Sequence, residues 1–224
     1  LSVVTDGVYR LSYQQLISLG INETSLLSDN IRLFGNGGGM LPFDNSEDRR
    51  DDLEEIAIEI VDGGDNRLDP GDYVLFYGQG QDRWERSASS YVHVKNYMAD
   101  STYYFITTDY SIGTPKRIVT HQTSGNPSVT FNTFEDYQFH ESDRVNLIKS
   151  GREWFGESFA IQKSYSFPFT FPNLITNEQV HVRARVAART IGRSSEFSFA
   201  IGGNNVFDIA VGQVSSGYAS QYAR

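Results

Sequence analysis

The chain has 224 residues, no cysteine, and a formal net charge of −9 from 19 basic and 28 acidic side chains. This acidic balance argues against nucleic-acid partners, which need clustered lysine and arginine, and against docking on anionic lipid. Without a thiol the chain can form no disulfide, thiolate metal site or cysteine nucleophile. No apolar run approaches the roughly 20 residues that span a bilayer.

One short helix is predicted near the start. Ser12 and Gln15 have the spacing of a capping box, Leu11 and Leu16 that of a hydrophobic staple, and Gly20 is suited to end the helix. A helix this short must be held by packing.

Short strands are predicted for most of the remaining first half. Apolar or alternating patterns mark residues 31–34, 55–61, 72–77, 101–108 and 116–120. The sequence GNGGG at residues 35–39 lacks the lysine and hydroxyl residue that a phosphate loop needs. It therefore predicts a tight turn whose glycines adopt positive φ.

The turn-rich connection between the strands at 55–61 and 72–77 is the one candidate metal site. Its oxygen-bearing side chains could wrap a calcium ion, although the spacing departs from the EF-hand rule; the candidate ligands are Asp62, Asp65, Asn66, Asp69 and Asp72. The alternative is an Asx-rich turn with no ion. No cofactor is required in either case.

A composition change at residues 121–128 predicts a linker between two modules. Residues 1–125 are expected to form an α+β or β module, and residues 126–224 a β-sandwich-like module. In the second module, alternation over 179–190 predicts a half-buried strand with a basic outer face, and 196–211 a hairpin across Gly202 and Gly203. The fold class is thus mainly β with a small α element.

No complete catalytic site is apparent in the sequence. None of the four histidines lies in a His-Glu-x-x-His pattern, and no Gly-x-Ser-x-Gly occurs. The segment 151–157, with Arg152 and Trp154, is interpreted as a buried aromatic anchor, with a recognition edge as the alternative. Exposed aromatics such as Trp84 and Tyr91 leave open a carbohydrate-binding module.

Several stretches taken together resemble a known family. In order along nearly the whole chain, they are similar to the N-terminal region of the sortases of the type IX secretion system, which are gingipain-related cysteine peptidases; the stretches are residues 7–13, 31–42, 68–80, 103–108, 140–141 and 150–157.

The resemblance implies an exported parent protein at the bacterial outer surface. Such sortases remove the C-terminal sorting signal of secreted cargo and join the cargo to surface lipopolysaccharide, using a cysteine and a histidine in a caspase-like domain downstream. Since this chain has no cysteine, no catalytic residue can be assigned to it. The expectation is a non-catalytic N-terminal portion, cut before the peptidase domain, whose partners are that domain and other outer-membrane attachment proteins; an incomplete second module is left open.

Overall fold

The computed structural model describes residues 1–88, 90–110, 112–122, 125–149, 151, 153–216 and 221–223, without the side chains at 87 and 90. Contacts within the chain divide it into two compact units, Leu1–Ser128 and Val129–Arg224. The first, unit 1, carries 10 basic and 19 acidic residues, and the second, unit 2, carries 9 of each. The whole net negative charge therefore belongs to unit 1.

Unit 1 contains one short α-helix and ten short strands. They are β1 (Ser2–Val3), β2 (Gly7–Ser12), α1 (Tyr13–Ser18), β3 (Arg32–Gly35), β4 (Glu54–Ile56), β5 (Ile58–Val61), β6 (Tyr73–Gly78), β7 (Arg83–Ser87), β8 (Ser90–Val94), β9 (Thr102–Tyr103) and β10 (Phe105–Thr107). Single 3₁₀ turns at Glu23–Ser25 and Ser28–Asn30 lie between α1 and β3. The predicted strands at 31–34 and 72–77 are confirmed to within a few residues. The stretch predicted as one strand at 55–61 forms two, β4 and β5, which belong to different sheets.

Four small antiparallel sheets assemble these strands. Their orders are β2-β6-β5, β10-β3-β4, β1-β9 and β7-β8. Alternate residues point inward, so that the buried side chains form one core cluster: Val3, Leu11, Tyr13, Leu16, Leu26, Ile31, Leu33, Ile58, Leu68, Val74, Phe76 and Tyr104. Ile58 of β5 belongs to this core and so holds β5 in place; the candidate site lies along the outer edge of that strand.

The predicted helix is confirmed together with its caps. The Gln15 amide donates to Ser12 Oγ (3.3 Å), and the Ser12 amide donates to Gln15 Oε1 (2.8 Å), which completes the capping box. Gly20 follows the last turn with φ of 91°, a conformation that glycine adopts without steric cost. Leu11 and Leu16 both enter the core.

Unit 2 contains the antiparallel hairpin of β11 (Ser195–Ile201) and β12 (Asn204–Val211), joined by Gly202 and Gly203 at positive φ. This hairpin is confirmed. The long strand predicted over residues 179–190 is not formed; the described residues there make a single bridge, from Ala188 to Ala223. Alternation defines a strand face, but a strand also needs a neighbour for its backbone groups.

The fold class is therefore mainly β with one small helix, as predicted. Across the residues that the structure describes, no helix is both long and apolar enough to cross a bilayer.

Candidate functional site

A surface groove of about 400 Å³ follows the outer edge of β5 in unit 1. Strand β5, the turn after it and two distant segments form its walls, and the lining residues are Ser28, Asp29, Ile58, Glu59, Ile60, Asp62, Gly64, Asn66, Arg117 and Ile118. We call it the β5 groove. It contains Asp62 and Asn66, two of the five side chains of the candidate cation loop.

Asp62 is held by its neighbours in the groove wall. The Ser28 hydroxyl donates to its Oδ2, and the Gly64 amide donates to Oδ1 at 3.0 Å. The Ser28 hydrogen bond is the main reason why the pKa of the Asp62 carboxyl lies below its ordinary value; partial burial acts in the opposite direction, and the Gly64 amide adds a smaller lowering effect. Asp62 is therefore held as the carboxylate.

Asn66 has φ of 64°, and its Nδ2 donates to Asp29 Oδ2 at 3.1 Å. This bond joins the turn to the 3₁₀ segment that carries Ser28 and Asp29. Asn tolerates the left-handed conformation because its side chain can bond locally.

The other three loop carboxylates stabilise the turn itself. Asp65 Oδ1 accepts the Arg67 amide (3.0 Å), Asp69 pairs with Arg67 Nε (3.5 Å), and Asp72 Oδ2 accepts the Asp69 amide (2.8 Å). Among the residues that the structure describes, no three His, Cys, Asp or Glu side chains are grouped so that they could hold a metal ion. The calcium interpretation of this loop stays a prediction.

The opposite wall of the groove is an extended segment at residues 116–118. It lies parallel to β5: the Ile58 amide donates to the Lys116 carbonyl (3.3 Å), and the Ile118 amide donates to the Ile58 carbonyl (3.0 Å). Arg117 donates to the carbonyls of Ser28 (2.6 Å) and Lys116 (3.1 Å). Partial burial lowers the pKa of its guanidinium.

A buried arginine, which sequence reasoning missed, anchors this segment. Arg32 is only 3% exposed; it pairs with Glu55 (3.0 Å), donates to the Gly113 carbonyl and lies 5.2 Å from the Tyr110 ring. Glu55 also accepts the Lys116 amide at 2.8 Å. The sequence did contain a signal for this pair, because Arg32 is the one charge in the apolar strand predicted at residues 31–34. A buried arginine is almost always paired, so its position predicts a buried ion pair.

The glycine-rich turn at 35–39 has the predicted positive φ at Gly37, Gly38 and Gly39. A Cβ on Gly38 would collide with the Gly80 carbonyl. Arg83 donates to the carbonyls of Gly37 and Gly38. The turn thus presents oxygens to a cation, which is the reverse of a phosphate-binding loop.

Trp84 and Tyr91 lie on one face of the β7-β8 hairpin. The register pairs Trp84 with His93 and Arg86 with Tyr91, and alternate residues share a face. The Trp84 ring is half-buried, with its centroid 5.0 Å from that of His93, whereas Tyr91 is exposed.

In unit 2, two stretches that carried the family resemblance lie together. His140 Nε2 is 3.1 Å and Arg144 Nη1 is 3.4 Å from Glu157 Oε1, and Val145 bridges to Phe155. The Phe155 ring packs edge-on against Tyr222 (5.6 Å), which makes Phe155 rather than the exposed Trp154 the aromatic contact of this segment. Ser150 and Arg152 lie outside the described residues.

These features define a mainly β protein with several small sheets and one short helix. The chain is similar to the crystal structure of dimeric latent PorU from Porphyromonas gingivalis, with a TM-score of 0.53 and 23% sequence identity over 99% of this chain and 20% of that chain. The chain thus spans about one fifth of the length of that protein, and the likeness is one of fold. No protein-family model matches the chain, and no curated protein matches it.

Proposed function

We propose that this chain is the non-catalytic N-terminal portion of a bacterial cell-surface sortase, a cysteine peptidase that processes the cargo of type IX secretion. The observation that carries the proposal is the similarity of fold to PorU along 99% of the chain, against 20% of the PorU chain. The absence of any cysteine fits a portion without the nucleophile of such a peptidase.

Its proposed role is to position the downstream peptidase domain or to dock partner proteins of an outer-membrane attachment complex. The small sheets of unit 1 share one core, and the ion pair of Arg32 with Glu55 joins β3 to β4, which supports such contacts.

Two measurements test the proposal. The reading frame downstream of Arg224 should encode a histidine and a cysteine in a caspase-like α/β pattern, and the purified chain should leave sorting-signal peptides uncut while the longer protein cleaves them. A continuing frame without that pair, or cleavage by the chain that depends on one of its own side chains, would contradict it.

A carbohydrate-binding role is the second candidate, because Trp84 and exposed Tyr91 share one face of the β7-β8 hairpin. Aromatic faces on a strand surface can stack on sugar rings. Titration of lipopolysaccharide into the chain distinguishes the two roles: saturable binding that is lost in Trp84→Ala but kept in the matched variant Trp154→Ala would favour the carbohydrate module.

A further inference from the structure

The ladder between β5 and the segment at 116–118 stops after a single residue of β5. Ile58 makes both of its outward hydrogen bonds to this segment, to the Lys116 carbonyl and from the Ile118 amide. Among the described residues no further bridge joins β5 to the chain beyond Ile118, and Val119 is 81% exposed. The β5 groove lies beside this break in the ladder, since Ile58, Ile60, Arg117 and Ile118 all line it.

The next outward backbone groups on β5 belong to Ile60. In an antiparallel pair, successive residues turn their amide and carbonyl alternately toward and away from the neighbouring strand. Because Ile58 points its groups away from β6, Ile60 does the same. Among the residues that the structure describes, no backbone partner bonds the Ile60 amide or carbonyl on this side.

The groove combines an apolar floor with acidic walls. Ile60 and Ile118 supply the apolar surface, since Ile58 is fully buried in the core, and Asp29, Glu59 and Asp62 supply the charge. Arg117 is the one basic residue in the lining, and its two Nη atoms already donate to backbone carbonyls. The groove thus favours an occupant that carries positive charge.

We propose that the β5 groove binds an extended peptide segment with alternating apolar and basic side chains, which adds as a strand to the open edge of β5. Its backbone would pair with the amide and carbonyl of Ile60, in the manner of strand addition to a sheet edge. Its basic side chains would lie against Asp29 and Glu59. This site belongs to the chain itself and does not depend on the proposed sortase relationship.

The test uses the whole 224-residue chain and fluorescence anisotropy with three labelled peptides of about eight residues, the length of one strand. The first alternates valine with lysine, the second has glutamate in place of lysine, and the third keeps lysine but carries N-methyl groups on alternate amides. We expect saturable binding of the lysine peptide, weakened by salt because charge pairs at the surface are screened. The other two peptides should bind at least about tenfold more weakly, because one loses its charge pairing and the other its ladder donors.

Matched variants locate the site. Glu59→Lys and Asp29→Asn should each weaken binding of the lysine peptide, by about fivefold for Glu59→Lys. Glu85→Lys changes another exposed glutamate, on β7 outside the groove, and should leave binding unchanged. Melting curves check that the variants fold. Amide exchange of Ile60, followed by NMR, should slow when the peptide is bound.

Equal binding of the lysine and glutamate peptides, undiminished binding of the N-methylated peptide, or no saturable binding would overturn the proposal. So would an unaltered affinity in folded Glu59→Lys. Light scattering that reveals a dimer of the chain, dispersed by Glu59→Lys, would identify a second copy as the occupant and would equally overturn it.

Discussion

Arg32 shows how a single buried charge can organise a distant segment. Its guanidinium pairs with Glu55, donates to the Gly113 carbonyl and faces Tyr110, while Glu55 accepts the Lys116 amide. Two side chains on neighbouring strands thereby hold the connection that leads into the wall of the β5 groove. A buried pair of this kind is costly to break, because the remaining partner is left as an uncompensated charge.

We predict that Arg32→Met lowers the free energy of unfolding by about 3 kcal/mol, since it leaves the largely buried Glu55 without its ion-pair partner. Urea denaturation followed by circular dichroism measures the change. Arg49→Met, at an exposed position, is the control and should shift stability by less than about 0.5 kcal/mol. Similar losses in both variants would show that the buried pair contributes nothing specific.

The hydrogen bond from Ser28 to Asp62 should make stability depend on pH. It lowers the folded-state pKa of Asp62 below the unfolded value of about 3.9. The stabilisation is therefore complete above that unfolded value and disappears as the pH falls through the folded pKa. We predict that Ser28→Ala costs about 1 kcal/mol near neutral pH, and that this difference shrinks in strong acid.

Thermal melting of both proteins across the acid range measures this effect. Ser25→Ala is the matched control, because the Ser25 hydroxyl donates to the Asn22 carbonyl (2.7 Å), which does not titrate. Its cost should stay constant with pH. A cost of Ser28→Ala that is equally constant would contradict the assigned role of Asp62.

At the scale of elements, the sequence correctly predicted a cap, a turn and a hairpin that depend on residues close together in the chain. The capping box of α1, the glycines of the 35–39 turn and the hairpin across Gly202 and Gly203 all form as the sequence indicated. Each is fixed by residues within a few positions of one another. The hairpin β7-β8 was missed because charged residues and serine interrupt its alternation.

Strand predictions fail where the described residues provide no continuous pairing partner. The pattern at residues 116–120 yields one bridge to Ile58, and residues 179–190 one bridge at Ala188. Alternation says which face is apolar but not which strand will satisfy the backbone. The β5 groove could not be predicted for the same reason, because it exists where a ladder stops.

Melting in calcium and in chelator would test the calcium interpretation of the turn at residues 62–72. Its carboxylates already accept hydrogen bonds or pair with Arg67, so we expect the melting temperature to stay the same in calcium and in chelator. An ion that binds only the folded state would raise it. A rise that is reversed by chelator and lost in Asp65→Asn would instead establish a calcium site.

At the scale of the whole molecule, sequence indicated the composition of the fold but not its sheet order. The orders β2-β6-β5 and β10-β3-β4 join strands far apart in sequence, and no local pattern encodes such pairings. The candidate site was likewise predicted only in its local part. Asp62 and Asn66 were identified from the turn that contains them. Ser28, Asp29 and Arg117 reach the groove only through long-range contacts, which no local pattern encodes.

The net charge of the whole chain does not show that the two units differ in charge. Unit 1 has 19 acidic against 10 basic residues, whereas unit 2 is balanced. Attraction of basic partners should therefore arise from unit 1, where the acidic walls of the β5 groove lie.

The chain has two tryptophans, and each unit contains one: Trp84 in unit 1 and Trp154 in unit 2. Trp84 sits beside the His93 imidazole, while Trp154 is exposed. Each half of the molecule thus carries its own intrinsic fluorophore in a distinct environment. Replacing either indole with phenylalanine would let emission spectra follow the melting of one half at a time, without any added dye.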